Sequence, residues 1–250
     1  MNTSDLEAWH RRFLKQAEWT ANTRQYIYKK VNLENSSSIL DIGCGTGALI
    51  SDFTEYPHVR YIGVDMDLPR IRYASSYSGL ARAICANGSI LPFCDATFDC
   101  IICHYLLLWV KDAVNLLIEA NRLLQPGGRL LCLAEPDYLG RIEYPQQFAQ
   151  LADSQLVSLI EQGIVPDTGR RLGSLCSEAG FRVEEIGLSG GQWLSRSSKT
   201  DADEWMSIQS DLHESINQAE LASLMNLDKF TRAQGTRIQF LPVFYAIAAK

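Results

Sequence analysis

Ile39-Leu40-Asp41-Ile42-Gly43-Cys44-Gly45-Thr46-Gly47 is the stretch on which the fold turns. Ile39, Leu40 and Ile42 around Asp41 make an apolar run that reads as a buried strand. Three alternating glycines close it before a helix-compatible stretch opens at Ala48. Strand, glycine turn and helix together build a nucleotide pocket. Glycine adopts dihedrals that other residues avoid and, lacking a Cβ, lets a ligand approach main-chain N–H groups at a helix N-terminus, where an anion is favoured. A second apolar run, Tyr61-Ile62-Gly63-Val64, ends in Asp65, 18 residues beyond Gly47 by numbering, close to the ~20-residue spacing at which a carboxylate meets a ribose diol. Two ligand types use this layout. Read as G-x-G-x-x-A through Gly43, Gly45 and Ala48, the turn satisfies the dinucleotide fingerprint, so NAD(P) stays open, whereas Asp41 and Gly47 argue the other way.

The nine residues, followed by Gly63-Val64-Asp65-Met66-Asp67, resemble the first two motifs of the class I S-adenosylmethionine-dependent methyltransferases. The resemblance implies that Asp41 and the turn residues Gly43, Cys44, Gly45 and Gly47 hold the methionine part of the cofactor, and that Asp65, beside Met66, takes the ribose hydroxyls. Ala86-Asn87-Gly88-Ser89-Ile90-Leu91-Pro92-Phe93 is similar to the family segment whose polar residue meets the adenine amine, here Asn87 with Gly88 next to it. The family more often has Asp at that position, and Asn supplies both an acceptor and a donor. Phe98 to Tyr105 looks like the fourth strand and the start of the active-site loop. Leu123 to Leu131 matches the family's helix, Pro-Gly-Gly turn and fifth strand. These motifs follow in order from Ser38 to Glu135, and the rest of the chain is matched in outline. The implied fold is α/β, a doubly wound, mostly parallel seven-stranded Rossmann-like sheet.

The 250 residues, 46% hydrophobic, are enough for one large α/β core, so the chain reads as a single methyltransferase domain over 1–250. A net charge of −6 without a Lys/Arg run speaks against nucleic acid as substrate. No stretch approaches ~20 consecutive apolar residues and the N-terminus is polar, so the expectation is a soluble cytoplasmic protein without a membrane partner. Cys85, Cys100, Cys103 and Cys132, among seven cysteines, lie in apolar runs, as reduced core thiols do. Cys100 and Cys103, three apart on a strand, point to opposite faces, and no second ligand pair has zinc spacing, so no metal is expected. His10, His58, His104 and His213 are scattered, and no nucleophile turn is present.

Residues 4–31 carry Leu6, Trp9, Phe13, Ala17, Ile27 and Val31 at a roughly helical period, as one helix or two, and Asn35-Ser36-Ser37-Ser38 separates them from the first strand. Family resemblance places residues 1–35 over the cofactor as a lid. There Trp19, Tyr26 and Tyr28 either face the sulfonium or pack onto the sheet, and Arg24 either meets the methionine carboxylate or is solvated. Helical periodicity returns at Ala113 to Leu124 and at Leu172 to Ala179, with Asp167 or Thr168 as N-cap. Phe181 to Ile186 and the closing Phe240 to Ala249 read as strands. Two insertions, 136–166 and 198–230, add helix at the carboxyl ends of parallel strands, where open α/β sheets bind ligands. They form a substrate cap. Tyr138, Tyr144, Trp193, Trp205 and Met206 are its candidate lining residues, and Tyr105, Trp109, Glu135 and Asp137 its neighbours on the sheet side.

A sulfonium is an activated methyl donor, so the protein mainly has to align the acceptor and exclude water. His104, which its motif brings near the transferred methyl, is the candidate catalytic base, with a positioning contact as its other role. The sequence therefore reads as an S-adenosylmethionine-dependent methyltransferase of a small-molecule acceptor. An NAD(P)-dependent oxidoreductase and a non-catalytic S-adenosylmethionine-binding protein are the alternatives.

Overall fold

The computed structural model describes residues 3–79, 82–190, 202–212 and 217–250. The strand before the glycine turn, β1 (Ser38–Ile42), is buried throughout and lies in the middle of the sheet. β2 (Arg60–Asp65) pairs with it in parallel on one side and β4 (Phe98–His104) on the other. With β3 (Ala83–Cys85), β5 (Leu124–Pro136), β7 (Arg182–Ser189) and β9 (Val243–Ala249), the seven strands run in the order β3-β2-β1-β4-β5-β9-β7. β9 is antiparallel to both its neighbours, and the remaining pairs are parallel. The chain leaves β1 outward to β2 and β3, then returns to β4 on the opposite side. The reversal opens a crevice between the carboxyl ends of β1 and β4, which is where doubly wound sheets bind ligands.

A parallel sheet is covered on both faces, and its strands are accordingly apolar on both sides. Leu40, Ile42, Ile101 and Cys103 pack with Leu117 of α3 (Ala113–Leu123) and Leu172 of α5 (Thr168–Glu178) on one face. Ile39, Cys100, Ile102 and Leu131 pack with Ala17 and Ile27 of α1 (Thr3–Lys30) on the other. Cys100 and Cys103 thus lie on opposite faces, as their spacing predicts. α2 (Leu68–Tyr77) begins after Asp67, whose carboxylate accepts from Arg70 N at 3.0 Å, and α3 begins after Asp112, which accepts from Asn115 N at 3.0 Å.

The insertions hold β6 (Ile142–Tyr144), α4 (Gln147–Glu161), α6 (Ala202–Leu212) and α7 (Gln218–Ala233). Phe148 and Leu151 of α4, Trp205 and Ile208 of α6, and Leu221 and Leu224 of α7 make a separate small core. Trp193 and His213 lie outside the described residues. Among those described, no helix is long and apolar enough to cross a membrane.

Two local expectations are corrected and two open ones are decided. Of the one or two helices read over residues 4–31, the structure has one, α1 (Thr3–Lys30). After the glycine turn there is only a four-residue 3₁₀ helix, Ile50–Phe53. Its Asp52 is held by Arg24 and Tyr28 of α1, and so short an element carries little dipole, so the anion-binding helix N-terminus is not built. The closing run splits at Leu241-Pro242. Its first part, β8 (Ile238–Phe240), pairs with β6 in a second sheet, because a proline that lacks an N–H interrupts the ladder. At α5, Asp167 is the N-cap of the two candidates, though without a capping bond, and Thr168 Oγ1 donates back to Val165 O at 2.8 Å.

Candidate functional site

At the crevice, Gly43 N and Cys44 N both donate to Val64 O, at 2.7 and 3.0 Å, so the turn is tied across from β1 to β2. Gly43 has φ 77°, and a Cβ there would lie 2.6 Å from Leu106 Cδ1. Gly45, at φ 53°, lies under Phe13 of α1. Gly45 N donates to Asp65 Oδ2 at 2.9 Å, and Asp67 N donates to Asp65 Oδ1 at 2.9 Å. The glycine turn and the second-strand carboxylate are therefore one hydrogen-bonded unit.

Asp41 is 2% exposed yet lines the cavity, and Tyr61 donates its hydroxyl to Asp41 Oδ2. Burial pushes the Asp41 carboxyl up to about 7 against that hydrogen bond, and the charges of Asp65 and Asp52 add to the rise. A buried acid facing a cavity is satisfied as a carboxylate only when a cation or a set of donors meets it.

His104 ends β4, with Nε2 2.9 Å from Thr20 Oγ1. Arg24 Nη1 donates to the same hydroxyl at 2.7 Å. Burial, aided by the Arg24 guanidinium, pushes the imidazole down to about 3, so it is neutral at physiological pH. Arg24 itself holds both Asp52 oxygens, at 2.7 and 3.1 Å, and Ala17 O. It is the pin between α1 and the 3₁₀ helix and is not free to meet a cofactor carboxylate. Tyr105 follows in the left-handed region at φ 51°, its N–H donating to Ala134 O at 2.9 Å. Strain of this kind in a residue lining a cavity is a mark of a working site.

These groups surround a cavity of about 210 Å³. Trp9, Arg12, Phe13 and Gln16 of α1 close one wall, at the spacing of a single helix face. The floor is Asp41, Gly43, Cys44, Gly45, Asp65 and Met66. His104, Tyr105, Leu106, Leu108 and Trp109 form the next wall, and Tyr138 with Leu159 reaches in from the cap. Ten of the residues singled out in the sequence thus come together: Asp41, Gly43, Cys44, Gly45, Asp65, Met66, His104, Tyr105, Trp109 and Tyr138.

Others do not line the cavity, for identifiable reasons. Glu135 is fully buried and accepts from the backbone N–H groups of Leu106, Leu107 and Leu108 at 3.0, 2.9 and 3.1 Å. Burial raises it to about 7 in spite of those three bonds, and its work is to shape the loop after β4. Asp137 is bound to Arg170 and to Gly140 N. Trp205 is in the core of the cap, donating to Asp228 Oδ2 at 3.2 Å, while Tyr144 and Met206 face solvent. Gly47 turns against Ser78. Gly88 is packed so that a Cβ would sit 2.9 Å from Ile42 Cγ2, and Asn87 Oδ1 accepts from Ser89 N at 3.0 Å. The lid aromatics Trp19 and Tyr26 are exposed and Tyr28 bonds Asp52, so Trp9 and Phe13, one turn apart near the start of α1, are the rings at the cavity. Sequence reading missed Tyr61, Arg12, Gln16 and Arg70, the last of which also lines the cavity from α2. The 9-12-13-16 face of α1 was the available signal. Among the described residues, no three His, Cys, Asp or Glu side chains converge as a metal site.

Residues 40–132 match the family model described as a methyltransferase domain. An uncharacterized methyltransferase of Schizosaccharomyces pombe is 31% identical over 205 residues, 75% of this chain and 72% of that protein. The ubiquinone/menaquinone biosynthesis C-methyltransferase UbiE of Desulfotalea psychrophila is 31% identical over 126 residues, covering 49% of this chain and 51% of its own length. The chain thus spans about half of that relative. Among solved structures, an S-adenosylmethionine-dependent methyltransferase from Archaeoglobus fulgidus superposes with a TM-score of 0.58 at 17% identity, covering 94% of each chain, which speaks to the fold.

Proposed function

Because the chain belongs to the class I S-adenosylmethionine-dependent methyltransferase family, we propose that it transfers the methyl group of that cofactor to a small-molecule acceptor held between α1, the loop after β4 and the cap. Membership in the family decides against the dinucleotide reading of the glycine turn. One observation carries the proposal: Asp41, Gly45 and Asp65 line the same cavity as Tyr105, Trp109 and Tyr138. An end built for polar cofactor groups is thereby continuous with an aromatic end suited to an apolar acceptor body.

The residues fit the cofactor. Asp41, a buried acid without a cationic partner among the described residues, would receive its ammonium. Asp65, already oriented by two backbone N–H groups, keeps lone pairs for the ribose hydroxyls. Gly43 and Gly45 leave the approach open where a side chain would meet Leu106 or Phe13. When bound, S-adenosylmethionine supplies a methyl group on a sulfonium, ready for displacement. Trp9 and Phe13 then exclude water from that wall, and Tyr105, Trp109 and Tyr138 orient the acceptor for in-line attack.

His104 acts here as a positioning residue. Its imidazole is held neutral by burial and by Arg24, so the imidazolium that a base must become is disfavoured. The acceptor is accordingly one that reaches the site already nucleophilic. UbiE, at 31% identity, is named for ubiquinone and menaquinone biosynthesis, which supports a small-molecule acceptor with an apolar body. The net charge of −6 opposes nucleic acid, and free cysteines suit a reducing cytoplasm. The test is to mix the purified protein with S-adenosylmethionine and a panel of small metabolites and to measure S-adenosylhomocysteine. A protein that retains no S-adenosyl ligand in native mass spectrometry, binds none by titration and turns over no acceptor refutes the proposal.

A further inference from the structure

Arg12 enters the cavity from α1 with an unusual set of partners. Its Nη2 is 2.6 Å from Asp211 Oδ1 of α6, while Nε and Nη1 are buried without a hydrogen-bond partner among the described residues. The side chain is 16% exposed, and its guanidinium lies 5.1 Å from the Trp9 ring centroid, so packing fixes it in place. Guanidinium carries five N–H donors and cannot shed its charge to escape burial. Leaving such donors unmet is costly, and Asp211 meets only Nη2, its other oxygen turned to Gln155 Nε2 at 2.7 Å.

The surroundings are rich in guanidinium groups. Behind Asp211 the cap holds a connected ionic network, with Arg141 and Arg237 on Glu143 and with Arg237 and Arg232 on Asp228. The Arg12–Asp211 pair joins this network through Gln155, which accepts from Arg141 and donates to Asp211. Arg12 is the member that lines the cavity. Around it the acceptor end is aromatic and aliphatic, formed by Tyr105, Leu108, Trp109, Tyr138 and Leu159.

Resting on the methyltransferase reading above, we infer that Arg12 receives an anionic group, a carboxylate or a phosphate, carried on the apolar body of the methyl acceptor. Guanidinium is the side chain whose planar donors fit those two anions. The cofactor also has a carboxylate, but Arg12 leaves α1 towards the cap, where its partner Asp211 lies, whereas Phe13 next to it takes the side facing Gly45. The acceptor is thus an amphiphilic acid, and Arg12 is a specificity-determining residue of the cap side.

The experiment uses the full chain loaded with S-adenosylhomocysteine and titrated with octanoate and phenyl phosphate, each beside its uncharged counterpart, octanamide and phenol. The anionic member should bind the wild type more tightly by about 10-fold or more. In Arg12→Gln that preference should vanish while S-adenosylhomocysteine affinity stays within about 3-fold, because the interaction removed is worth nothing to the cofactor. Arg12→Lys should keep part of the preference. If orphaning the buried Asp211 unfolds Arg12→Gln, the paired variant Arg12→Met with Asp211→Asn, which leaves no unpaired charge, gives the same readout. Equal binding of charged and uncharged probes to the wild type, or a preference that survives loss of Arg12, overturns the inference and leaves the methyltransferase reading intact. So does a fall of about 10-fold or more in S-adenosylhomocysteine affinity on losing Arg12, which would assign the residue to the cofactor's carboxylate. Failure of the wild type to bind S-adenosylhomocysteine at all overturns both.

Discussion

Cofactor affinity should depend on pH through Asp41. Burial pushes this carboxyl up to about 7, so below that pH it is protonated. A ligand that brings an ammonium needs the carboxylate, and binding therefore expels the proton. The sign follows: affinity is full above pH 7 and declines as pH falls. At pH 5 about one site in 100 holds the carboxylate beforehand, so affinity should be ~100-fold below its plateau, equal to about 2.7 kcal/mol. The assay is calorimetric titration of S-adenosylmethionine between pH 5 and 7.5 in buffers of different ionisation enthalpy, which should register release of about one proton per ligand at the acid end. Glu135 is also raised to about 7 but is buried beneath the loop after β4, and His104 is held near 3, so neither supplies this slope. Asp41→Asn should bind more weakly at pH 7.5 and show a flat profile. Wild-type affinity constant to within about 2-fold over the range, or a slope that persists in Asp41→Asn, would refute the assignment.

Asp65→Ala should weaken S-adenosylmethionine by about 10- to 150-fold, as expected for hydrogen bonds to a charged group, and unchanged affinity in the folded variant would remove Asp65 from the site. Since His104 is already neutral between pH 5 and 8, kcat/KM with the true acceptor should show no histidine limb there, and His104→Ala should mainly raise a KM. Loss of ~10²-fold or more in kcat together with a pH limb would instead make it the base. Glu135→Ala should orphan three buried N–H groups, each costing about 1–3 kcal/mol, and lower Tm by ~6 °C or more for a domain of this size. Thermal unfolding with little change would show that the loop after β4 does not depend on it.

The cofactor end was legible because it is local. Asp41, the glycine turn and Asp65 belong to one strand-turn-strand passage, and β1 and β2 pair in register whatever surrounds them. Apolar strands without alternation likewise announced a sheet covered on both faces, and the order of motifs announced its topology. Residue type was a poor guide wherever the partner came from elsewhere in the chain. Glu135 looks like an acceptor contact until Leu106, Leu107 and Leu108 bring their N–H groups to it from β4's loop. Trp205 looks like a lining ring until α4 and α7 enclose it.

By itself, then, the sequence determined the sheet, the glycine turn and the two carboxylates that go with it, since periodicity and turn chemistry act over a few residues. Only the tertiary structure decided which rings face the cavity, that Arg24 is consumed by Asp52, that His104 is held neutral, and that Arg12 keeps two nitrogens unpaired. Burial and charge pairing are sums over everything packed around a group, and the groups that contribute here lie dozens to nearly 200 positions away along the chain, as Arg12 and Asp211 do at a separation of 199 residues.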